Sequence, residues 1–309
     1  MAQLENFRVV VFRAVAEQMS FRKAAEALYL TQPAVSQQIK ALEEELGVQL
    51  FERGGRGIRL TEAGVVLFDG ARRAGAVLEQ TGGDVAALGG IYAGPFLLGA
   101  STTIAQYVLP AVVGAFRQKH PGIRPSLLSG NTEHIVEAVA RRTVALGFIE
   151  GPPRSTEVKT EPFLRDELVL IAPALHAWAK RGSITPSALS EAPLLLREHG
   201  SGTRRIVELA FERAKIKLPS LQIAMEFDAT EAIKSAVEAG FGAGFVSRWA
   251  IAKDLRLGKS FKIVTIEGMR IERSFLLTMP HSPALQGLAR EFRNFLLEHV
   301  QRRRKQAHR

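Results

Sequence analysis

The stretch that decides the amino-terminal fold is Phe21–Leu46, which reads FRKAAEALYLTQPAVSQQIKALEEEL. Ser20 stands just before it, where a helix N-cap is favoured, and predicts the start of a short helix. Thr31 can cap a second helix, whose first turn tolerates Pro33 because the early amides there lack intrahelical partners. Gly47 predicts the end of that second helix.

The second helix has an apolar face and a polar face. At about 100° per residue, the apolar residues on one side are Val35, Ile39, Leu42 and Leu46. The other side carries hydrogen-bonding groups and one cation but no acid, namely Pro33, Ser36, Gln37 and Lys40. Such a face suits the DNA major groove, where glutamine can pair with adenine and lysine neutralises phosphate. An ordinary solvent-exposed polar face explains the same residues, so both interpretations stay open at this point.

Segments on both sides complete a small domain. Apolar residues at helical spacing between Leu4 and Val15 predict a preceding amphipathic helix. Residues 49–51 and 57–60 flank a glycine-rich loop and predict a hairpin. The whole pattern resembles the winged helix-turn-helix of LysR-type transcriptional regulators, and the residues that carry the resemblance are Phe21, Ala24, Ala25, Leu28, Thr31, Gln32, Pro33, Ala34, Val35, Ser36, Gln38, Ile39, Leu42, Glu43, Leu46, Gly47, Leu50, Phe51 and Arg53.

The resemblance implies that residues 1–60 bind double-stranded DNA through a recognition helix and a wing. The DNA contacts that it implies on and just before the helix Gln32–Leu46 are Thr31, Gln32, Pro33, Ser36, Gln37 and Lys40. In the wing, Arg53 and Arg56 are expected to contact the DNA backbone. Without the resemblance, arginines in a glycine-rich loop indicate only an ordinary solvent-exposed turn.

A helical segment with a heptad repeat follows. Apolar and small residues alternate steps of four and three at Leu60, Gly64, Leu67, Ala71, Ala74, Leu78, Thr81, Val85 and Leu88. This 3.5-residue period is typical of a coiled-coil seam. The resemblance implies that residues 61–90 are a linker helix through which two subunits pair, with dimer contacts at Leu60, Leu67, Ala71, Ala74, Leu78, Val85 and Leu88. A helix packed on its own globule remains the alternative.

Beyond Gly89-Gly90 and Gly94-Pro95 the pattern changes to alternating strands and helices, which predicts α/β layers with parallel strands. The resemblance to LysR-type effector domains covers residues 91–300 and implies two lobes that close on a small molecule, as in type 2 periplasmic binding proteins. Pro162 and Gly268 stand where the chain could cross, so we expect lobe one at 91–161 and 268–300, and lobe two at 162–267. Residues 301–309 form a basic tail.

Hydroxyl-rich helix starts in this part predict an anion site. Ser101, Thr102 and Thr103 follow the first strand, and a second such start holds Gly200, Ser201, Gly202, Thr203 and Arg204. Asn131 and Thr132 add a weaker third. Free amides and hydroxyls at helix N-termini can receive a carboxylate or phosphate, although ordinary N-capping explains each start alone. Because neither of the two main motifs holds a carboxylate, we expect a small anionic effector between the lobes.

Composition excludes several classes of protein. Cys is absent and no two His stand at i, i+4, so we expect neither a metal site nor a cofactor. A nucleophile elbow needs glycines two positions on either side of the serine, where Ser201 has His199 and Thr203, and no enzyme is expected. The amino terminus lacks signal-peptide features and no apolar run approaches the roughly 18 residues of a membrane helix. We therefore expect a cytoplasmic protein without membrane contact.

The predicted function is a DNA-binding transcriptional regulator that responds to an effector. Its expected partners are a DNA operator, a small-molecule effector and copies of itself in a dimer and tetramer. The effector motifs are similar to regulators of carbon fixation and of sulfur or nitrogen assimilation. Two alternatives remain: a metabolite-binding or enzymatic α/β protein with a DNA-binding appendage, and a non-specific nucleoid-type DNA binder. The net charge of +10 is compatible with either kind of DNA binding.

Overall fold

The computed structural model describes residues 5–54, 57–257, 260–282 and 284–307. By their internal contacts the residues fall into two compact units, 1–89 and 90–309, and each is described by itself. Within the described ranges, no helix is both long enough and apolar enough to span a membrane.

The first unit is a helical head with a two-stranded hairpin and a long helix. Its elements in chain order are α1 (Phe7–Gln18), α2 (Phe21–Leu28), α3 (Gln32–Leu46), β1 (Phe51–Gly54), β2 (Gly57–Leu60) and α4 (Glu62–Leu88). The predicted caps are confirmed: the Ser20 side chain accepts from the amide of Lys23, and that of Thr31 accepts from the amide of Ala34. Gly47 ends α3 at a φ of 71°.

One apolar core joins the helices of the head. The buried faces of α1, α2 and α3 meet there with Leu50 and Phe51, and Leu67 and Phe68 of α4 pack against them. Leu46, predicted on the apolar face of α3, is exposed instead because it lies in the last helical turn. The start of α4 approaches closely, since a Cβ on Gly64 would overlap the carbonyl oxygen of Leu50.

The second unit alternates strands and helices as predicted. Its elements in chain order are β3 (Gly94–Ser101), α5 (Thr102–Tyr107), α6 (Leu109–Lys119), β4 (Ile123–Gly130), α7 (Thr132–Ala140), β5 (Leu146–Ile149), β6 (Val158–Pro173), α8 (Ala177–Arg181), β7 (Ser183–Ile184), the 3₁₀ helix Pro186–Glu191, β8 (Leu194–Arg197), α9 (Gly202–Arg213), the 3₁₀ helix Leu218–Ser220, β9 (Ile223–Phe227), α10 (Thr230–Glu238), β10 (Ala243–Ser247), α11 (Arg248–Arg256), β11 (Phe261–Ile266), β12 (Ile271–Pro280) and α12 (Gly287–Ala307).

These strands form one sheet in the order β4-β3-β5-β12-β6-β10-β8-β9, with β11 beside β6 and β7. In lobe one, β3 is parallel to β4 and β5, and in lobe two β8 is parallel to β9 and β10. Helices cover both faces of each half. The carboxyl ends of the parallel strands therefore lie at one edge in each lobe, where α/β proteins place ligand sites.

Two long antiparallel strands, β6 and β12, connect the lobes. Phe163 and Phe275 belong to the core of lobe one, whereas Leu168 and Ile271 belong to that of lobe two. The change of lobe thus lies inside the strands, a few residues beyond Pro162 and beyond Gly268, which stands in the turn before β12. A strand that continues through both lobes has no turn residue where it crosses, so the sequence holds no local signal for the crossing.

Candidate DNA-binding and effector sites

The polar face of α3 is open to solvent. All six predicted DNA contacts on it, Thr31, Gln32, Pro33, Ser36, Gln37 and Lys40, are exposed. Val35, Ile39 and Leu42 hold the opposite face in the core, so helix and head form one rigid support. The Lys40 ammonium lies 3.7 Å from the Glu44 carboxylate, an exposed pair that leaves Lys40 available for phosphate. This geometry is that of a recognition helix presented by its neighbours.

The wing consists of β1 and β2, which pair antiparallel from Phe51 opposite Leu60 to Gly54 opposite Gly57. Arg53 belongs to β1, opposite Ile58. Arg56 lies outside the described residues. The predicted backbone contacts of both arginines therefore stay predictions.

The predicted seam of α4 divides into two halves. Leu60 and Leu67 pack against the core of their own head, and Ala71 is buried there as well. Further along, Ala74, Val85 and Leu88 are exposed and Leu78 is half-buried. The head therefore uses the first half of the repeat itself, and the second half offers the apolar surface that a partner could cover.

The predicted effector residues Ser101 and Thr103 of lobe one lie in a buried polar cluster. Ser101 ends β3, and the Thr103 backbone amide donates to Glu150 at 2.9 Å. From lobe two, the Thr203 hydroxyl donates to the same carboxylate at 2.6 Å. Thr103 and Thr230 face each other across the lobes, with 3.4 Å between their hydroxyl oxygens. The cluster joins the lobes directly, and its donors serve an internal carboxylate.

Glu150 is the charged centre of this cluster. Its carboxylate accepts from Arg273 at 3.0 Å, and Arg273 also donates to Asp166 at 2.7 Å. Burial alone would raise the pKa of Glu150, but the charge of Arg273, the Thr203 hydroxyl and the charge of Arg197 together lower it to about 2. Burial raises the pKa of Asp166 above its ordinary value despite its bonds to Arg273 and Ser247. Neither helix-start motif holds a carboxylate of its own, as the sequence indicates, but the fold brings the carboxylate of Glu150 against both of them.

A second buried cation, Arg197, binds the hydroxyl of Thr102, which is also a predicted effector residue. It donates to the Thr102 hydroxyl at 3.0 Å and to the Thr230 hydroxyl at 3.4 Å. Its remaining donors reach the carboxylate of Glu198 and the backbone carbonyls of residues 227 and 228. Thr102 thus contacts lobe two through Arg197, which lies at the carboxyl end of β8.

Five of the other predicted effector residues line an open cavity of about 240 Å³ between the starts of α7 and α9. The predicted residues at its surface are Thr132, Gly200, Ser201, Gly202 and Arg204. The Glu133 amide donates to the carbonyl of Gly200 at 3.3 Å, which brings the two helix starts together across the lobes. Asn131 caps α7 through the amide of His134. The cavity and the buried cluster therefore divide the predicted effector residues between them, except for Asn131, whose side chain caps α7.

One polar atom at this cavity stands out. The Thr132 hydroxyl is buried and, among the described residues, has no hydrogen-bond partner. Arg204 lines the same cavity, but its positive charge is balanced because it forms ion pairs with Glu208 at 2.8 Å and with Glu226. In the described part of the chain, no three His, Asp or Glu side chains form a group that could hold a metal ion.

Sequence reasoning did not identify four charged residues of the buried cluster, Glu150, Arg197, Asp166 and Arg273. A local signal existed for Glu150 and Arg197, since each stands at the carboxyl end of an apolar parallel strand. No local signal existed for Asp166 and Arg273, because their pairing joins strands distant in sequence.

Comparison with known proteins identifies the family. Residues 8–65 match the model of the bacterial regulatory helix-turn-helix protein, lysR family, and residues 90–301 match that of the LysR substrate binding domain. The chain belongs to the LysR family and is a DNA-binding transcriptional regulator with an effector-binding domain. The predicted resemblance is confirmed.

Curated relatives include regulators of carbon fixation. The chain is 37% identical to the HTH-type transcriptional activator CmpR of Synechocystis sp., over 96% of both chains. It is 36% identical to the RuBisCO operon transcriptional regulator of Allochromatium vinosum, over 94% of this chain and 95% of that one.

Solved structures share the fold. The Synechocystis CcmR regulatory domain in complex with 2-PG is 28% identical, with a TM-score of 0.61 over 67% of this chain and 97% of that chain. CbnR, a LysR family transcriptional regulator, is 23% identical with a TM-score of 0.71 over 96% of this chain and 99% of that chain. The latter likeness concerns the fold alone.

Proposed function

We propose that this regulator responds to a small anionic metabolite bound in the cavity between the starts of α7 and α9. The observation that carries the proposal is the meeting of two helix N-termini from opposite lobes at one cavity, which the unpartnered Thr132 hydroxyl also lines. Helix N-termini favour anions through their free amides and their dipoles. The side chains of the walls add no net positive charge, since the arginines Arg154, Arg204 and Arg205 stand beside the carboxylates of Glu133, Glu137, Glu157 and Glu208. The proposal therefore rests on the helix N-termini and on the Thr132 hydroxyl. A volume of about 240 Å³ suits a compact metabolite.

The buried cluster serves a different purpose in this proposal. Its donors from Thr103 and Thr203 are occupied by Glu150, so an external anion there would have to displace a carboxylate that stays ionised. We assign the cluster to joining the lobes and the cavity to the effector. An effector that binds one lobe arrangement more tightly shifts the population toward it.

The regulatory unit in this proposal is a homodimer, and two dimers form a tetramer. Pairing uses the second half of the α4 seam, and two recognition helices read an interrupted palindrome. The protein acts in the cytoplasm, needs no cofactor and catalyses no reaction. The relatives with regulatory names support this part.

Calorimetric titration with 2-phosphoglycolate tests the effector site, since the CcmR regulatory domain was solved with 2-PG. We expect saturable binding that Thr132→Val weakens by about tenfold, the loss of one hydrogen bond to a charged group. Valine keeps the shape of threonine, and the Thr132 hydroxyl bonds no described residue that would lose a partner.

The matched control is Thr160→Val, the same change at an exposed position of β6 that does not line the effector cavity. Equal affinities of both variants for 2-phosphoglycolate would remove Thr132 from the site. Selective binding of cationic or neutral metabolites by the wild type would overturn the anion assignment.

A further inference from the structure

A second cavity, of about 820 Å³, lies where β6 and β12 cross between the lobes. Its walls come from these two strands and from the first turns of α11. Among the described residues, none lines both this cavity and the one at the starts of α7 and α9. A ligand here would meet a separate set of side chains.

The walls carry more cations than acids. Four arginines, Arg165, Arg248, Arg270 and Arg273, face three carboxylates, Asp166, Glu167 and Glu272. The carboxylates are already engaged. Asp166 accepts from Arg273, and Glu167 accepts from Arg248 at 2.7 Å and from Arg270 at 3.1 Å. The third carboxylate, Glu272, lies 3.2 Å from Arg270.

Two of the arginines retain unused donors. Arg165 is exposed and forms no ion pair with any residue that the structure describes. Arg273 is buried, and its Nη2 atom has no hydrogen-bond partner among the described residues. A buried guanidinium nitrogen without a partner is costly unless something accepts from it. Trp249 adds an indole to the same wall.

The geometry points to a second anion site in this crossing cavity, for a ligand that carries phosphate or carboxylate groups. The planar guanidinium groups match the paired oxygens of both anions, and Arg binds them as a fork. The volume admits a ligand larger than the one proposed for the effector cavity. The excess of one arginine over the three carboxylates of the walls favours a negatively charged ligand.

Such a site would give the regulator a second input. Its walls are the strands that join the lobes, so a ligand that prefers one lobe arrangement biases the domain as a whole. Coupling between two sites is reciprocal in binding free energy. Occupancy of the crossing cavity would therefore change the affinity of the effector cavity, and the reverse.

Trp249 provides the measurement. The chain contains two tryptophans, Trp178 and Trp249, and Trp178 is buried in the core of lobe two. In a Trp178→Phe background, fluorescence reports on the crossing cavity alone. We expect inorganic pyrophosphate, titrated at constant ionic strength, to change it saturably.

Arg165→Gln tests the site without breaking an ion pair to a described residue, so the fold should persist. We expect the affinity for pyrophosphate to fall by about tenfold or more, because the variant loses a guanidinium that can donate two charge-assisted hydrogen bonds to one phosphate group. The control Arg117→Gln removes the same charge from an exposed position of α6 outside both cavities and should leave the affinity unchanged.

Three outcomes would overturn the proposal. The first is no saturable change, and the second is an equal loss in Arg165→Gln and Arg117→Gln. The third is a loss of pyrophosphate binding caused by Thr132→Val, which would assign the ion to the effector cavity. If Trp178→Phe does not fold, calorimetry on the chain with both tryptophans makes the same comparison of arginine variants.

Discussion

Glu150 is a charged residue sealed between two lobes, and its ionisation is tied to their contact. It receives hydrogen bonds from Thr103 in lobe one and Thr203 in lobe two, and an ion pair from Arg273. Its pKa is lowered from 4.5 to about 2, so the folded state favours the ionised form. The stabilisation is complete above about pH 4.5 and is lost as the pH falls toward 2.

Glu150→Gln should therefore destabilise the protein at pH 7 by about 3 kcal/mol, the low end for a broken buried ion pair, because Arg273 would lose one of its two buried carboxylate partners and keep Asp166. The difference from the wild type should shrink as the pH falls below 4.5. Urea unfolding between pH 7 and pH 3 measures both values. The control is Glu157→Gln, an exposed carboxylate of lobe one. A difference that does not change with pH would contradict the ion-pair role.

Sequence reasoning at the residue scale found donors but not their acceptor. Thr103 and Thr203 were predicted to bind a carboxylate or phosphate, and each does donate to a carboxylate, that of Glu150. The hydroxyl pattern is local and readable, whereas the approach of Glu150 depends on the sheet order. Helix-start motifs therefore predict a site that binds an anion. They do not show whether that anion is a bound ligand or a carboxylate of the same chain.

The helix α4 uses one heptad repeat for two purposes. Leu67 packs against its own head, whereas Val85 and Leu88 are exposed. A 3.5-residue period records which residues share a face but not which surface covers each of them. The heptad thus predicted the helix and its apolar face, but it could not predict where the head ends and the partner surface begins.

Leu78→Asp should abolish dimer formation and leave the head folded, because it places a charge in the half of the seam proposed to pair, outside the core of the head. Leu67→Asp should instead unfold the head, since Leu67 packs against its core. Sedimentation velocity and circular dichroism separate these outcomes. Val66→Asp, an exposed position outside the seam, is the control. Fully dimeric Leu78→Asp would place the seam elsewhere.

Replacement of two glycines of α4 by alanine should change the free energy of unfolding in opposite directions. Gly64 lies against the Leu50 carbonyl, so Gly64→Ala forces a backbone shift and should cost about 1–3 kcal/mol. Gly70 has open space around its Cβ position, so Gly70→Ala should stabilise the helix by up to about 1 kcal/mol. Urea unfolding of both variants is the measurement. A stabilised Gly64→Ala would mean that the close approach is relaxed in solution.

The whole molecule separates DNA contact from ligand contact. The head and the effector domain are distinct compact units that meet in the chain at residues 89 and 90. Each of the proposed ligand sites lies within the second unit. The glycine pair Gly89-Gly90, which marks a boundary in the sequence, lies where the two units meet in the chain, whereas the lobe crossing inside β6 and β12 has no such marker.

A fragment of residues 90–309 should fold alone and bind 2-phosphoglycolate within about threefold of the full chain. Calorimetry on both proteins makes the comparison, and binding of operator DNA by the full chain alone is the control. A fragment that folds but binds no ligand would show that the head contributes to the effector site.

The two-stranded ribbon of β6 and β12, which runs through both lobes, also has a consequence for how the effector domain unfolds. Each strand contributes to both lobe cores, so opening one lobe removes half of the ladder that supports the other. The lobes should therefore melt together in one calorimetric transition rather than in two. Amide protons of the ribbon should be among the last to exchange with deuterated water, since their exposure requires disruption of both cores. Evolution can thus vary the surface of either lobe, but substitutions that loosen the ribbon endanger the domain as a whole.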